Sequence, residues 1–374
     1  MRIAFTAPMK PLDDPVPSGD RTMGRLIVRG LEQAGHEVRV ASRFRAWRAE
    51  GGIDAQRAVE REALREAEAV ARQWEAEGYR PDLFLTYHLY HKAPDWIGPA
   101  LADRLALPYA VIEASRAPKR QAGAWEHGFA AADAALHRAD MVAALHRADR
   151  ECLAEVVPDA RLTVLAPFLD ERPFIDAPRI PPHADASPRL LAAGMMREGA
   201  KMASYRLLAE ALGKLDGRPF VLTIAGDGPG RAEVEALFAR HGARFTGALT
   251  PEEMPALYAA HDILVWPAIR EAFGFVFLEA QAAGLAIVGG DTFGVPDVVA
   301  EGVSGLLAPE GDVEAFAAAL ARLLDTPGLS ARMGAAARAH VLSRHGLAAG
   351  ARRLDAFLSH ALRNFAARAT ASPQ

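Results

Sequence analysis

The sequence predicts an α/β protein made of two doubly wound domains, each a parallel sheet with helices on both faces. Three observations lead to this prediction. Short, continuous apolar runs bounded by turn residues indicate buried strands, these runs alternate with helical segments, and a proline-rich segment at 171–189 separates two such series. The 374 residues are enough for two domains, each with a core of its own.

The first half opens with a βαβ pattern. Strand 2–8 is followed by a loop rich in proline, glycine and aspartate, by a helix at 21–34 that Gly35 ends, and by strand 36–42. A charged helix is predicted at 54–77. The further predicted elements of this half are a helix around 123–138 and strands at 82–88, 109–115, 141–145 and 161–167.

The alternation of strand and helix restarts after the proline-rich segment. The predicted strands are 189–194, 220–226, 243–247, 262–267 and 285–290, and the predicted helices are 203–215, 230–241, 251–260, 274–283 and others beyond 312. The resulting domains are 1–172 and 189–345, with a linker at 173–188 and a C-terminal helical segment at 346–374 that is a candidate for packing back on the first domain. A cleft between the two domains is the expected ligand site.

Composition excludes several classes of protein. The 43 basic and 47 acidic residues give a formal net charge of −4, which offers no electrostatic reason to bind nucleic acid. The single cysteine, Cys152, cannot form an intrachain disulfide, and no Cys/His cluster has zinc spacing. Since the N-terminal apolar stretch is too short for a secretory signal and no run is long enough to span a bilayer, we expect a cytoplasmic protein.

Segment 42–48 combines three arginines with Phe44 and Trp47. Such a mixture is typical of a patch that contacts the inner face of a membrane peripherally or binds an anionic acceptor. The alternative is a solvated loop that the two aromatic side chains anchor in the core. Both interpretations remain open at this stage.

The segment REAFGFVFLEAQAAG, residues 270–284, places two glutamates in a nearly apolar stretch. Strand 262–267 ends shortly before it, so Glu271 is predicted in a loop and Glu279 inside the next helix. A buried carboxylate without a partner is costly, so Glu279 in particular needs an explanation. One is that Glu271 complements the helix N-terminus while Glu279 pairs with a distant arginine.

The other explanation is a ligand. Gly274 lets the backbone approach a bound group, and the free N–H groups of Gly274, Phe275 and Val276 at the helix start favour an anion. Carboxylates bind sugar diols well because each oxygen accepts a hydroxyl proton. The segment therefore indicates a site for a molecule with a phosphate and several hydroxyls.

The run 267–312 resembles the donor-binding signature of GT-B-fold, retaining glycosyltransferases of family 4. That signature has two glutamates separated by seven residues, then a helix end of small residues and glycine-rich turns. The matching positions are Glu271, Gly274, Glu279, Gly284, Gly294, Gly302 and Gly305. The stretches MRIAF, PDLFLTYH, TVLAPFLD and AGDGP agree with the family elsewhere, so the resemblance covers nearly the whole chain and implies two Rossmann-like domains facing each other across a cleft.

The resemblance implies roles for several residues of the second half. Glu279 is expected to bind the ribose hydroxyls of a nucleotide-sugar, and Glu271 to contact the transferred sugar. The diphosphate is expected at Lys201 and at the helix start. The residues of that helix start are Phe273, Gly274, Phe275 and Val276.

Among the departures from the family pattern, two bear on candidate site residues. The family usually has an arginine directly after the glycine that follows its first donor-domain strand, and this chain has Met195. Arg197, two residues later, is the candidate to supply the missing charge. In the first half, Gly19 stands where many relatives have a glycine pair, and it is either a close-approach glycine or a plain turn glycine.

The family also places a histidine near the reacting sugar, at the end of an N-terminal strand. His88 is the best match and His91 the second. A histidine at the carboxyl end of a parallel strand is well placed to hydrogen-bond a sugar hydroxyl, although a structural histidine is the alternative. Glu113 and Arg116 follow the next strand and are acceptor-site candidates by placement alone.

The resemblance implies retaining transfer of a sugar from a UDP-, GDP- or ADP-sugar to an unidentified acceptor, which is a sugar, a lipid or a small molecule. It implies no protein nucleophile, no obligatory metal and no other cofactor. A nucleotide-sugar 2-epimerase or a glycosyl phosphorylase of the same fold is an alternative. A nicotinamide-dependent oxidoreductase is another, although GDGPG at 226–230 follows a late strand and matches a dinucleotide motif weakly. Met195 keeps open a catalytically silent subunit that binds the donor.

Overall fold

The computed structural model describes residues 1–16, 18–180, 187–215 and 217–371. The chain forms two compact units. The N-terminal unit comprises Met1–Pro167 and the chain from Ala348 onward, and the C-terminal unit comprises Phe168–Leu347. The first boundary therefore lies five residues before the predicted 172.

The N-terminal unit is built on a six-stranded, entirely parallel sheet in the order β2-β1-β3-β4-β5-β6. Its strands are β1 Arg2–Thr6, β2 Glu37–Ser42, β3 Leu83–Leu89, β4 Tyr109–Ala114, β5 Met141–Ala144 and β6 Leu162–Val164. Its first five helices are α1 Gly19–Gln33, α2 Ile53–Glu77, α3 Ile97–Arg104, α4 Glu126–Arg138 and α5 Arg147–Leu153. The central strands are buried on both faces, which explains why they are continuous apolar runs in the sequence.

The C-terminal unit repeats the plan, with a parallel sheet in the order β12-β11-β10-β7-β8-β9. Its strands are β7 Arg189–Ala193, β8 Val221–Ala225, β9 Arg244–Gly247, β10 Ile263–Trp266, β11 Ala286–Asp291 and β12 Gly305–Pro309. Its helices are α6 Arg172–Asp176, α7 Ala200–Leu212, α8 Arg231–Phe238, α9 Met254–Ala259, α10 Phe275–Ala282, α11 Val295–Val298, α12 Val313–Asp325 and α13 Leu329–Arg344.

The last helix, α14 Leu347–Ala371, belongs to the N-terminal unit from Ala348 onward. Its buried face carries Leu354, Phe357, Leu358 and Ala361. Arg353 donates to the carbonyl oxygen of Ala166 over 3.0 Å, and Asn364 donates to that of Asp140 over 2.9 Å. A helix far along the chain thus completes the hydrophobic core of the first unit.

The predicted α/β class with two doubly wound parallel sheets is confirmed. Sequence reasoning assigned no element to β12 or α3. β12 is an edge strand enclosed by turns, and α3 is short and contains Pro99, which is tolerated in a first turn but looks like a loop residue in the sequence. The predicted linker contains the short helix α6, and its residues 181–186 lie outside the described part of the chain.

No helix within the described ranges combines the length and the apolar character that crossing a bilayer requires.

Candidate active site

Each sheet has a topological switch point, where the chain order reverses and ligands of doubly wound folds usually bind. In the N-terminal unit it lies between β1 and β3, and in the C-terminal unit between β7 and β10. The first helix after β1 begins at Gly19, and β3 ends at His88 and Leu89. Lys201 follows β7, and Glu271 follows β10. Sequence-predicted residues therefore lie at the switch point of each unit.

Lys201 and Glu271 form an ion pair across the switch point of the C-terminal unit. α7 begins at Ala200, three residues before the predicted start, so Lys201 lies in its first turn, where the helix dipole disfavours a cation. The Glu271 carboxylate opposes this effect, and the Lys201 ammonium also lies 5.3 Å from the ring centroid of Trp266. These two contacts hold the Lys201 ammonium beside the loop that precedes α10.

The loop before α10 is strained and braced. Ala268 and Arg270 have φ angles of 57° and 51°, in the left-handed region that side chains other than glycine adopt at a cost. The Ile269 amide donates to Ser204 Oγ over 3.0 Å, and the Arg270 amide donates to Glu310 Oε1 over 3.0 Å. Backbone strain that neighbouring contacts hold in place is typical of functional sites.

The helix that the sequence predicts after Gly274 is present, and anion binding at its start stays a prediction. Gly274 precedes the helix with a φ of 70°, and the first helical residues are Phe275 and Val276. A Cβ at Gly274 would lie 3.0 Å from the ring of Phe277. Phe273 is buried and packs edge-on against Phe275, with 5.1 Å between the ring centroids, so it supports the helix start from below.

Glu279 has a neutral partner in place of the distant arginine that the sequence left as an alternative. Tyr258 on α9 donates its hydroxyl to Glu279 Oε2 over 2.8 Å. Burial raises the pKa of Glu279, and the hydrogen bond from Tyr258 opposes that rise. Since a tyrosine hydroxyl satisfies only part of a carboxylate, Glu279 keeps acceptor capacity for hydroxyls of a ligand.

The glycines of AGDGP serve packing between loops. A Cβ at Gly226 would lie 2.0 Å from the carbonyl oxygen of Gly194, and one at Gly228 would lie 2.4 Å from that of Met196. The Met196 amide donates to the carbonyl oxygen of Asp227 over 2.9 Å. These contacts fix the loop after β7, and they explain the GDGPG pattern that resembles a dinucleotide motif.

Met195 and Arg197, the departure from the family pattern in the C-terminal unit, are both on the surface of that loop. Met195 is 47% exposed, which is unusual for a large apolar side chain. Arg197 is exposed, and its guanidinium has no ion pair among the described residues. Arg197 is therefore available to a ligand of the C-terminal unit.

In the N-terminal unit, His88 lies between two carboxylates. Its Nδ1 atom is 3.1 Å from Asp20 Oδ1 and 3.6 Å from Glu113 Oε1. Glu113 was predicted near this place, whereas Asp20 was missed and its neighbour Gly19 was named instead. An aspartate in the first turn of a helix is ordinary, so the sequence held no signal that singled out Asp20.

The second candidate histidine has the opposite environment. Burial and the nearby charges of Lys92 and Arg120 lower the pKa of His91 to about 4. Its Nε2 atom is buried and finds no hydrogen-bond partner in the described part of the chain, and its ring lies edge-on to Trp125 at 5.5 Å. His91 is thus neutral at pH 7, whereas His88 faces carboxylates.

Arg116 is engaged in a network of its own unit. Its guanidinium pairs with Asp133 at 3.0 Å and with Glu155 at 2.6 Å, and it lies 5.0 Å from the ring centroid of Phe129. The side chain joins the loop after β4 to α4. These contacts account for Arg116 without a role in binding the sugar acceptor.

The aromatic residues of segment 42–48 turn inward. Trp47 donates its indole N–H to the Tyr90 hydroxyl over 2.9 Å, and Phe44 packs against the core. Arg45 lies over the Trp47 ring, and Arg43 pairs with Asp13 at 2.6 Å. These contacts fit the interpretation of an anchored loop, and a peripheral membrane contact stays a prediction.

Part of the chain matches a family of known proteins. Residues 192–340 match the family model described as glycosyl transferases group 1. The chain is 39% identical over 130 residues to D-inositol 3-phosphate glycosyltransferase of Streptomyces griseus, which is 33% of this chain and 28% of that protein. It is 38% identical over 120 residues to a sulfoquinovosyl transferase of Arabidopsis thaliana, which is 31% of this chain and 24% of that protein. The matched segments thus span less than a third of these relatives.

Solved structures resemble the chain over nearly its whole length. Sucrose-phosphate synthase from Thermosynechococcus elongatus has a TM-score of 0.72 at 20% identity, covering 97% of this chain and 99% of that one. HepE of Anabaena in complex with UDP-glucose has a TM-score of 0.67 at 15% identity, covering 96% and 99%. The fold of the chain is therefore the GT-B fold of these glycosyltransferase structures.

Proposed function

We propose that the chain is a retaining glycosyltransferase of family 4, which moves a sugar from a nucleotide-diphosphate sugar to an acceptor that is not yet identified. The family match over 192–340 and the fold support sugar transfer by a transferase enzyme. The single observation that carries the proposal is the carboxylate of Glu279, whose hydrogen-bonding capacity Tyr258 uses only in part. Glu279 lies in α10, and the Lys201–Glu271 pair lies at the loop before that helix. A part-buried carboxylate with free acceptor capacity suits ribose hydroxyls.

The proposed work of the C-terminal unit is to hold the donor and stabilise its leaving group. The departing diphosphate gains negative charge as the bond to the sugar breaks. Lys201, Arg197 and the amides of Phe275 and Val276 present positive charge or N–H dipoles to it, so the proposed reaction requires no metal ion at that place. When the diphosphate binds, the Lys201 ammonium interacts with the phosphate and less with Glu271. Glu271 is then free to accept a hydrogen bond from a hydroxyl of the transferred sugar.

The proposed role of the N-terminal unit is to supply His88 to the reacting sugar or the acceptor. UDP-sugars are the first donors to test, because the Anabaena HepE structure contains UDP-glucose. GDP- and ADP-sugars are the alternatives.

Donor binding by purified protein tests the proposal. A thermal-shift screen of UDP-, GDP- and ADP-sugars is expected to raise the unfolding midpoint with one base, because a ligand of the native state stabilises it. Glu279→Ala and Lys201→Ala are each expected to lower the affinity for that donor tenfold or more. Each removes a charged hydrogen-bond partner worth about 1.5 kcal/mol or more. Glu252→Ala, at an exposed position before α9, is the matched control and should bind like the wild type.

Unchanged donor affinity in both site variants would overturn the assignment. Product analysis then separates the related functions: a new glycoside with the donor's anomeric configuration is expected, whereas an epimerised nucleotide-sugar or a sugar phosphate would indicate the alternatives. Donor binding without turnover would favour the silent subunit that Met195 suggests.

A further inference from the structure

His88 occupies a place where three elements of the N-terminal unit meet. Asp20 reaches it from the first turn of α1, and Glu113 reaches it from the end of β4. The side chains are 13%, 29% and 16% exposed for His88, Asp20 and Glu113, so water screens their charges only in part. Two carboxylates in such a place cost free energy unless a positive group lies between them.

The backbone is strained to bring His88 and Glu113 together. Their φ angles are 62° and 59°, both in the left-handed region. The residues lie on neighbouring strands between the paired positions Tyr87–Ile112 and Leu89–Ala114, so the two departures occur at the same level of the sheet. Side chains other than glycine adopt this region at a cost, and such outliers concentrate where function requires a side chain in an unusual direction.

Within the part of the chain that the structure describes, the charged groups that act on His88 are acidic. Asp20 lies on α1, Glu113 on β4 and Asp149 on α5, while Lys10 acts on Asp20 from the other side. Burial lowers the pKa of His88, but the three carboxylates outweigh burial and raise it. Burial raises the pKa of Asp20, and the hydrogen bond and charge of His88 outweigh that effect and lower it.

We propose that Asp20 is a positioning residue for His88: its carboxylate pairs with the protonated ring on the Nδ1 side, holds the ring, and leaves Nε2–H to donate to an oxygen of the sugar substrate. The inference deepens the proposed function and rests on it. Both carboxylates lie on the Nδ1 side of the ring as ion-pair partners, although the Nδ1 atom itself has no well-aligned hydrogen bond in the described part of the chain. Within the described residues, no hydrogen bond involves Nε2. Glu113 adds negative charge that favours the doubly protonated ring.

The chemical consequence is that His88 acts as a donor. A neutral histidine with its hydrogen on Nδ1 would present Nε2 as an acceptor, whereas an imidazolium donates from both nitrogens. Since an imidazolium cannot take a further proton, His88 does not serve as a general base. It stabilises a substrate oxygen that is rich in electrons, such as a sugar hydroxyl or ring oxygen.

The test measures the titration of His88 itself. In histidine-labelled full-length protein, NMR signals are assigned by comparison with His88→Gln and followed against pH in the wild type, Asp20→Asn and Asp54→Asn. Asp54, exposed in the first turn of α2, matches Asp20 in helix position and lies outside the cluster. Asp20→Asn is expected to lower the His88 pKa, because it removes a negative charge 3.1 Å away, and Asp54→Asn is expected to leave it unchanged.

The kinetic readout is the pH profile of kcat/KM. Activity that needs the imidazolium falls as the pH rises through the His88 pKa, so Asp20→Asn is expected to move this basic limb to lower pH and to reduce kcat/KM about tenfold at neutral pH. Combined with His88→Gln, Asp20→Asn should cause no further loss. Should Asp20→Asn fail to fold, Glu113→Gln is expected to shift the titration and the limb in the same direction.

Three results would overturn the inference. These are a His88 titration that Asp20→Asn leaves unchanged, a shifted titration with an unchanged pH profile, and binding of Mg²⁺ or Zn²⁺ that perturbs His88 at micromolar concentration, which would make the cluster a metal site. Failure of the proposed function is distinguishable, because the donor-binding screen and its Glu279 and Lys201 variants report on the C-terminal unit alone.

Discussion

At the scale of single residues, two histidines three positions apart have opposite charge environments. His88 faces three carboxylates, while His91 lies near Lys92 and Arg120. Environments that push two similar groups apart in pKa often separate a functional group from a structural one. Here they favour His88 as the group that meets a substrate, because the nearby carboxylates favour its protonated form.

The lowered pKa of His91 has a consequence for stability. The unfolded chain protonates this histidine near pH 6.5 and the native protein near pH 4, so native stability falls as the pH drops through that window. His91→Gln removes this pH-dependent contribution to the stability of the native protein. Allowing for its partial exposure, we expect the wild type to lose about 1 to 2 kcal/mol more than the variant between pH 7 and pH 5, as measured by urea unfolding. Parallel pH profiles for the two proteins would contradict the assignment.

The close approach at Gly226 gives a second prediction for a single residue. Gly226→Ala places a Cβ 2.0 Å from a backbone oxygen at a φ of 136°, so the loops after β7 and β8 must separate. We expect a loss of about 2 to 4 kcal/mol in the free energy of unfolding. Gly242→Ala has a positive φ of 60° and open space, and its expected loss is about 1 kcal/mol. Equal losses would show that contact between the loops does not matter.

At the scale of elements, both helices that begin at the switch point of the C-terminal unit carry something unusual in their first turn. α7 begins with a cation, and α10 begins after a strained loop and a glycine. A lysine in a first turn is unfavourable alone, so its ion pair with Glu271 holds it against the helix dipole. The arrangement keeps a positive charge beside two helix N-termini, which suits an anion better than either feature alone.

A double-mutant cycle measures this pair. Lys201→Ala, Glu271→Ala and the double variant are expected to show a coupling of about 1 to 2 kcal/mol in denaturant unfolding, because the two side chains are only 20% and 19% exposed. The pair Arg206–Glu233 is 51% and 41% exposed, and we expect it to couple more weakly. A coupling no larger than that of this exposed pair would mean that Lys201 is not held by Glu271.

At the scale of the whole molecule, the chain completes the C-terminal unit before its last helix returns to the N-terminal unit. The core of the first unit therefore depends on residues that follow the whole C-terminal unit in the chain. Leu354, Phe357 and Leu358 are all but fully buried there. Because the two units have separate sheets and separate cores, damage to α14 should be confined to one of them.

Leu358→Ala tests that independence. The substitution leaves a cavity in the N-terminal unit and is expected to cost about 2 to 5 kcal/mol there. Hydrogen exchange measured by mass spectrometry should show lower protection in β1, β5 and β6, with unchanged protection in β7 and β10. Leu264→Ala in the middle of β10 is the reciprocal control, and it should lower protection in the C-terminal unit. Loss spread evenly over both sheets would contradict the division.

Local sequence patterns are enough to predict the class of the fold and most of its strands. Buried parallel strands are continuous apolar runs, and their positions follow from local composition, as in DILVWP and RLLAAG. The same holds for the glutamates at 271 and 279: the position of the first in the loop after a strand and of the second inside the next helix is a local property. β12 and α3 are not predicted, because an edge strand and a helix with a proline have weak local patterns.

Only the tertiary structure decided which side chains meet. Asp20 lies 68 positions from His88, Tyr258 lies 21 positions from Glu279, and Lys201 lies 70 positions from Glu271. Periodicity states which face of an element is buried, but the partner of a buried charge depends on strand order and on strained backbone at a few residues. Charges are costly to bury alone, so the fold had to bring these partners together, and no local pattern identifies them beforehand.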